Sequence, residues 1–310
     1  MPMGTAKRPF PESRYLIVAA WILLACPARL FAAFVLPGWD TSEITSSHAG
    51  AVSFNKGPGS MSVSDLTYSS LIVTPISSGS PLAFSPLFDF RSTVLHFEKI
   101  PTSVVDDTLR TLTVFPVAIN LGALFTLRCD NPAWIHGIRA SEQLASDLRD
   151  ISSEDFSTVV TGFSGYHFSD RFIFGTGIGI ELIDDKVRIH PGIGIDWTIH
   201  DELRLLVCGR DWSLAYAPQG RWEYSIRGES TDEIWNLKDK GGEALSLRVS
   251  SYHVGMFGSR RLTDQCRFEV GIGATTGNEI HLRDSFGKSV VKEGLHVGFF
   301  GQIGLKIRSW

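Results

Sequence analysis

No charge of one sign dominates this chain: 29 basic residues stand against 33 acidic ones, for a net charge of −4 at pH 7. Without a basic excess there is no electrostatic footprint for a phosphate backbone, which argues against nucleic-acid binding. Cysteine is scarce. Cys26, Cys129, Cys208 and Cys266 are too far apart to form a Cys-x-x-Cys pair, so zinc and thioredoxin-like readings have no support. Long apolar runs are missing too. No segment approaches the roughly 20 apolar residues of a membrane-crossing helix. After export, such a chain either stays soluble or crosses a membrane as a closed barrel.

What is abundant is glycine, at 30 residues, and phenylalanine, at 20. Without helical periodicity, glycine and aromatics point to β structure with many turns. The N-terminus has a different character. Lys7, Arg8 and Arg14 precede an apolar run from Tyr15 to Ala25, and small residues follow at Ala32 and Ala33. A basic region, a short apolar region and a small-residue end describe a secretory signal peptide over residues 1–33. A rival reading takes Leu23-Leu24-Ala25-Cys26 as a lipoprotein signal; Leu24 and Pro27 fit it poorly. With Cys26 in the leader, the other cysteines form either one disulfide and one free thiol or three unpaired thiols.

The remaining residues, 34–310, show a period of two. From Arg188 to Ile199 the odd positions read Ile189, Pro191, Ile193, Ile195, Trp197 and Ile199, and the even ones Arg188, His190, Gly192, Gly194, Asp196 and Thr198. Strand side chains alternate between faces, so this is a strand with one apolar side. Phe172, Phe174, Ile178 and Ile180 oppose Gly175, Gly177, Gly179 and Glu181. Phe268, Val270 and Ile272 oppose Arg267, Glu269 and Gly271. Phe299, Ile303, Leu305 and Ile307 oppose Gln302, Lys306 and Arg308. Another stripe runs from Phe115 to Leu127. Leu245, Leu247 and Val249 change parity to Tyr252, Val254 and Met256, which suggests a bulge near Ser250. The polar face mixes glycine with charges of both signs. That suits the interior of a membrane barrel, whereas a small soluble barrel turns its apolar face inward.

Asp170, Asp201 and Asp264 each sit in a tight connection, and Asp130-Asn131-Pro132 and Pro218-Gln219-Gly220 resemble them. Longer polar connections are expected over 142–155, 184–186, 229–242 and 278–293. Short turns alternating with long loops are the outer-membrane pattern, with about 12–14 strands. Leu203 to Tyr216 reads as a short hairpin, and residues 34–101 as first strands or an irregular leader. The terminal Trp310 is out of parity with the stripe ending at Ile307.

From about Ala145 onward the sequence resembles a family of outer-membrane β-barrel proteins of planctomycete and verrucomicrobial type, known as a domain of unknown function. The resemblance is carried by Ser153-Glu154-Asp155-Phe156, Tyr166-His167-Phe168-Ser169-Asp170-Arg171-Phe172 and Pro191-Gly192-Ile193-Gly194-Ile195-Asp196-Trp197. Leu214-Ala215-Tyr216-Ala217-Pro218, Tyr252-His253-Val254-Gly255 and Leu262-Thr263-Asp264 continue it. It implies a barrel and no catalytic residues.

Several groups invite chemistry. Gly175, Gly177 and Gly179 have the look of a nucleotide loop, but the alternation runs through them, so they belong to a strand. His190, Asp196, Glu202 and Arg204 suggest acid–base work. Parity also turns Arg188, Arg221, Glu223, Arg227, Arg248, Arg267, Glu269, Lys306 and Arg308 inward, and a lumen lined by both signs explains all of them. Phe172, Phe174, Ile178, Ile180, Ile189, Ile193, Ile195, Trp197, Phe268, Val270, Ile272, Phe299, Ile303, Leu305 and Ile307 are then the lipid-facing set. Asp147, Asp150, Glu154 and Asp155 lack the spacing of a calcium loop and read as a solvated loop. Trp134, Trp197, Trp212, Trp222 and Trp235 suit interfacial girdles.

The sequence therefore predicts an all-β, antiparallel, up-and-down transmembrane barrel in a bacterial outer membrane. Its role is structural or porin-like, for small polar solutes, with no enzyme activity and no cofactor. Its partners are the bilayer and the barrel-assembly machinery, without nucleic acid. Two alternatives remain: an outer-membrane lipid hydrolase, which needs a serine–histidine pair with an orienting polar group, and a soluble periplasmic ligand-binding barrel or sandwich.

Overall fold

The computed structural model describes residues 42–56, 59–71, 74–75, 82–99, 111–128, 133–148, 151–183, 186–218, 221–238, 244–284 and 289–307. The leader, Cys129, Asp150, Arg308 and Trp310 lie outside these. The described residues form fourteen antiparallel strands: β1 (Ser42–Ser53), β2 (Ser60–Leu71), β3 (Leu82–Glu98), β4 (Thr111–Val114 and Val117–Arg128), β5 (Trp134–Ser146), β6 (Phe156–Ser169) and β7 (Phe172–Ile183), followed by β8 (Lys186–His200), β9 (Leu203–Cys208), β10 (Asp211–Tyr216), β11 (Trp222–Lys238), β12 (Ala244–Arg261), β13 (Cys266–Arg283) and β14 (Ser289–Gly294 and Gly298–Ile307). Each pairs with the next, and β14 pairs back onto β1, from Ser42↔Ile307 to Ala49↔Phe300. The sheet closes on itself, and the even count puts the start of β1 and the end of β14 at the same rim.

Local chemistry explains the breaks. Pro116 has no N–H to give to a ladder and interrupts β4. Its carbonyl still accepts the Thr93 amide at 3.0 Å, which keeps the crossing continuous. At the terminal rim Asp170-Arg171 and Asp201-Glu202 are two-residue turns, and Thr263 Oγ1 accepts the Cys266 amide at 3.0 Å in a third. The expected loops at the other rim are shorter than the sequence suggests. Residues 142–146, 229–238, 278–283 and 289–293 are strand. β3, β11, β12 and β13 run 17 or 18 residues. A tilted strand needs only about ten to cross the hydrocarbon layer, so these four continue well beyond it.

Beyond the membrane band the strands exchange their faces. On β11, Trp222, Tyr224 and Ile226 point outward over the first half, while Glu223, Arg227 and Glu233 point inward. Farther along, Trp235 and Leu237 are the inward residues, and Asp232 and Asn236 the outward ones. β2 and β3 do the same. Leu66, Tyr68, Phe88 and Phe90 face out near the terminal rim, and Met61, Leu95 and Phe97 face in near the loop rim. The inward apolar residues make one core: Leu95 is 0% and Trp235 2% exposed, packed with Val52, Phe97, Leu247 and Val291.

This exchange corrects three expectations. β12 carries no inserted residue near Ser250. Its pairing with β11 is unbroken from Trp222↔Arg260 to Lys238↔Ala244, and its apolar parity changes because its surroundings change. The extra residue belongs to β13, at Gly277, whose φ of +60° is a left-handed conformation open to glycine. Arg248 accordingly faces outward, in register with Ile234, and pairs with Asp232 at 2.6 Å. Trp235 belongs to the inner core and not to a girdle.

Candidate functional site

The interior of the barrel is the candidate site. Its inward face is fixed by a contact through the lumen. Arg91 on β3 reaches Glu233 on β11, on the far side of the barrel, at 2.5 Å. Counting residues in register from Arg91 around the ladder gives one consistent inner face.

Charges on that face are paired. Asp65 takes two hydrogen bonds from Arg91, at 3.1 and 2.9 Å, and one from Thr93 Oγ1 at 2.6 Å. Arg227 forms a two-pronged pair with Glu269, one bond being 2.8 Å. Lys306 adds a contact to Glu269 at 3.2 Å and one to Glu43 at 3.4 Å. Glu269 is 1% exposed, and the two cations that meet it, Arg227 and Lys306, would both lose it as a partner if it went. Arg267 pairs with Glu223, Arg204 holds Asp196 through Nε and Nη2 at 2.7 and 2.6 Å, and Arg188 and His190 both lie 3.4 Å from Glu181. Arg139 approaches Asp89 at 3.7 Å. Two-pronged guanidinium–carboxylate pairs are the strong ones, and they fix side chains in place.

Of the residues singled out in the sequence, Arg188, His190, Asp196, Arg204, Glu223, Arg227, Arg267, Glu269 and Lys306 lie on this inner face. Glu202 lies in the turn after β8, where its carbonyl accepts the Ala217 amide at 2.7 Å, and Arg221 sits exposed at the terminal rim before β11. Sequence reasoning missed Arg91, Asp65 and Glu233. Their strands carry many serines and threonines, and their importance comes from a contact between residues far apart in the chain.

The outer-face residues are exposed to different degrees: Phe299 77%, Ile189 66%, Ile272 62%, Ile178 55% and Ile303 54%. Phe172, Phe174, Ile180, Ile193, Ile195, Trp197, Phe268, Val270, Leu305 and Ile307 share that face by register. Near the terminal rim its aromatics form a continuous chain. Trp134 meets Tyr166 at 4.9 Å, Tyr166 meets Phe168 at 4.8 Å, Phe168 meets Phe172 at 5.6 Å and Phe172 meets Trp197 at 6.1 Å. Aromatic rings favour the headgroup level, so this chain marks one edge of the lipid band.

The lumen is filled unevenly. On the β12–β14 side the Phe257 ring lies under the Arg227 guanidinium, 4.5 Å from its carbon, and Phe300 lies tilted against His253, with ring centres 5.2 Å apart. Phe257 also covers Gly271, where an added Cβ would come within 2.1 Å of the ring. On the opposite side, Gly175, Gly177, Gly179, Gly192 and Gly194 leave the inner faces of β7 and β8 bare; they are strand residues and not a nucleotide loop. Toward the loop rim, a small cavity of about 50 Å³ lies between the Arg91–Asp65–Glu233 cluster and Trp235. Above it the apolar core closes the barrel.

Serine–histidine contacts exist: His136 with Ser164, His253 with Ser251 and His48 with Ser64, each at 2.8 Å, and His281 with Ser289 at 3.1 Å. Among the described residues, none of these rings has a carboxylate on its second nitrogen, which the hydrolase reading needs. Asp155 accepts the Ser152 amide at 2.6 Å and so caps its own turn. Cys208 and Cys266 are free thiols.

A closed antiparallel barrel with an apolar outer band and a charged interior defines a membrane-spanning β-barrel of the outer-membrane type. No family model and no curated protein matches the sequence. Among solved structures the chain is similar to the COG4313 outer membrane channel from Pseudomonas putida F1, with 9% identity over 91% of this chain and 100% of that one, at a TM-score of 0.45. It is also similar to the TodX monoaromatic hydrocarbon channel (8% identity, 88% and 91% covered, TM-score 0.44) and the NanC porin (6%, 86% and 100%, TM-score 0.37).

Proposed function

We propose that this protein is an outer-membrane channel for small solutes whose lumen is sealed at the loop rim. The export signal over residues 1–33, the bilayer and the barrel-assembly machinery as partners, the absence of catalysis and membership of the family it resembles belong to the same reading. The observation that carries it is the exchange of faces along the strands. Within the apolar outer band, the interior holds Arg227, Glu269, Lys306, Asp196 and Arg204, side chains that have a place at membrane depth only around a wet or fully paired interior. Beyond the band, Trp235, Leu95 and Phe97 seal that interior as the core of a soluble domain would.

A sealed, purely structural barrel is the second reading, favoured by the apolar core taken alone. Ion conductance across planar bilayers separates the two. The purified protein is expected to conduct, and a Trp235→Ala, Leu237→Ala pair, which opens the seal, is expected to raise single-channel conductance severalfold. Silence from both proteins would leave the structural reading.

A further inference from the structure

We infer that solutes leave the lumen sideways, through a window in the wall between β8 and β11, and not through the sealed loop rim; this rests on the channel reading above. β9 and β10 have six residues each, while β8 has 15 and β11 has 17. Pairing of β8 with β9 stops at Gly194↔Cys208, and pairing of β10 with β11 stops at Trp212↔Gly228. Above the hairpin, residues 186–193 of β8 and 229–235 of β11 have no strand between them where β9 and β10 would stand. At about 4.8 Å per spacing that is a gap of roughly 14 Å.

The window has a built frame. At its base, Gly209 donates to the Ile193 carbonyl at 2.7 Å, and the Ser230 amide donates to Asp211 Oδ1 at 2.7 Å. The Trp212 indole donates to the Tyr252 hydroxyl at 2.8 Å, and that hydroxyl donates to the Arg210 carbonyl at 3.2 Å, which pins the hairpin tip to β12. At its top, β5 leans across to meet β11. Asn236 pairs with Ser146, its carbonyl accepts the Asp147 amide at 3.3 Å, and its side chain donates to the Glu154 carbonyl.

Among the described residues, the backbone of both side edges between these contacts has no ladder partner. Backbone groups without a ladder partner need water or a hydrogen-bonding solute, so the window is a polar opening. One outer lip is apolar (Val187, Ile189 and Ile193) and the other mixed (Ser230 and Asp232, with Ile234 above them). On the inner face, Arg188, His190 and Glu181 line the β8 side and Glu229 and Thr231 the β11 side. These lips fit a small amphiphile: a charged or hydrogen-bonding head against the open edges and a short apolar body on the β8 lip. The inner face beside Gly192 is open: an added Cβ there would meet nothing within 4 Å.

The test is swelling of liposomes that contain the mature protein, in 6-aminohexanoate. Gly192→Trp, which projects into that inner space, is expected to slow swelling about tenfold. Gly301→Trp, in open space on the outer face, is expected to leave it unchanged. Should Gly192→Trp fail to fold, a bulky thiol reagent on Cys208 in a Cys129→Ser, Cys266→Ser background blocks the same passage in folded protein. Swelling that is untouched by both blocks but rises with the Trp235→Ala, Leu237→Ala pair would place the route through the loop rim. That result overturns the window and keeps the channel. No swelling in any protein would overturn both.

Discussion

Glu269 shows what a single side chain does here. It lies below a lipid-exposed surface, yet it is ionically matched by Arg227 and Lys306 and almost without solvent contact. Removing one partner of a buried ion pair is costly because the other charge stays behind unpaired, by about 3–5 kcal/mol. Glu269→Gln leaves Arg227 and Lys306 facing each other with no anion between them. Urea unfolding of the refolded barrel in micelles is expected to show a loss of about 3 kcal/mol for this variant. Exposed pairs such as Arg171–Asp201, at 2.6 Å between adjacent turns, are worth well under about 1 kcal/mol. A loss no larger for Glu269→Gln than for Asp201→Asn would mean that the interior is wet enough to screen its charges.

Strands carry the next level of the argument. The alternation along β7, β8, β13 and β14 was plain in the sequence because these segments cross the membrane with one apolar face throughout. The hairpin of β9 and β10 and the aspartate turns were legible for the same local reasons. β12 was misread, and the reason is physical. A period of two reports which side is apolar and says nothing about whether that side meets lipid or a dry core. A strand that leaves the membrane and enters a cap changes apolar parity without any bulge. β13 shows the converse. Its bulge at Gly277 reverses the side chains where the surroundings also reverse, so Ile272, Ala274, Ile280 and Leu282 keep one parity and the sequence reads as an uninterrupted strand. Gly277→Ala forces a side chain onto a left-handed residue and is expected to lower stability by about 1 kcal/mol. Gly50→Ala, in open space on β1, is expected to be neutral. Equal midpoints for the two in urea would show that the bulge is not strained by a side chain.

The whole molecule is then two zones sharing strands. Near the terminal rim, fourteen strands enclose a lumen of paired charges within an apolar band. Near the loop rim, β6–β10 fall away, β5 leans onto β11, and the remaining strands surround a core of the soluble kind. The cluster of Arg91, Asp65 and Glu233 sits where the two zones meet. No local pattern in the sequence could have shown this, since Arg91 and Glu233 are 142 residues apart.

The sharpest test of this division is solvent accessibility along β12, measured by nitroxide labels at single positions from Ser246 to Met256 in lipid vesicles. The two-zone barrel predicts that Tyr252, Val254 and Met256 respond to dissolved oxygen, as lipid-exposed sites do. Ser246, Arg248 and Ser250 should respond to a water-soluble nickel chelate, and Leu247 and Val249 to neither. Leu247 and Val249 responding to oxygen, with Arg248 shielded from the chelate, would show that the apolar face looks outward along the entire strand and would contradict the account.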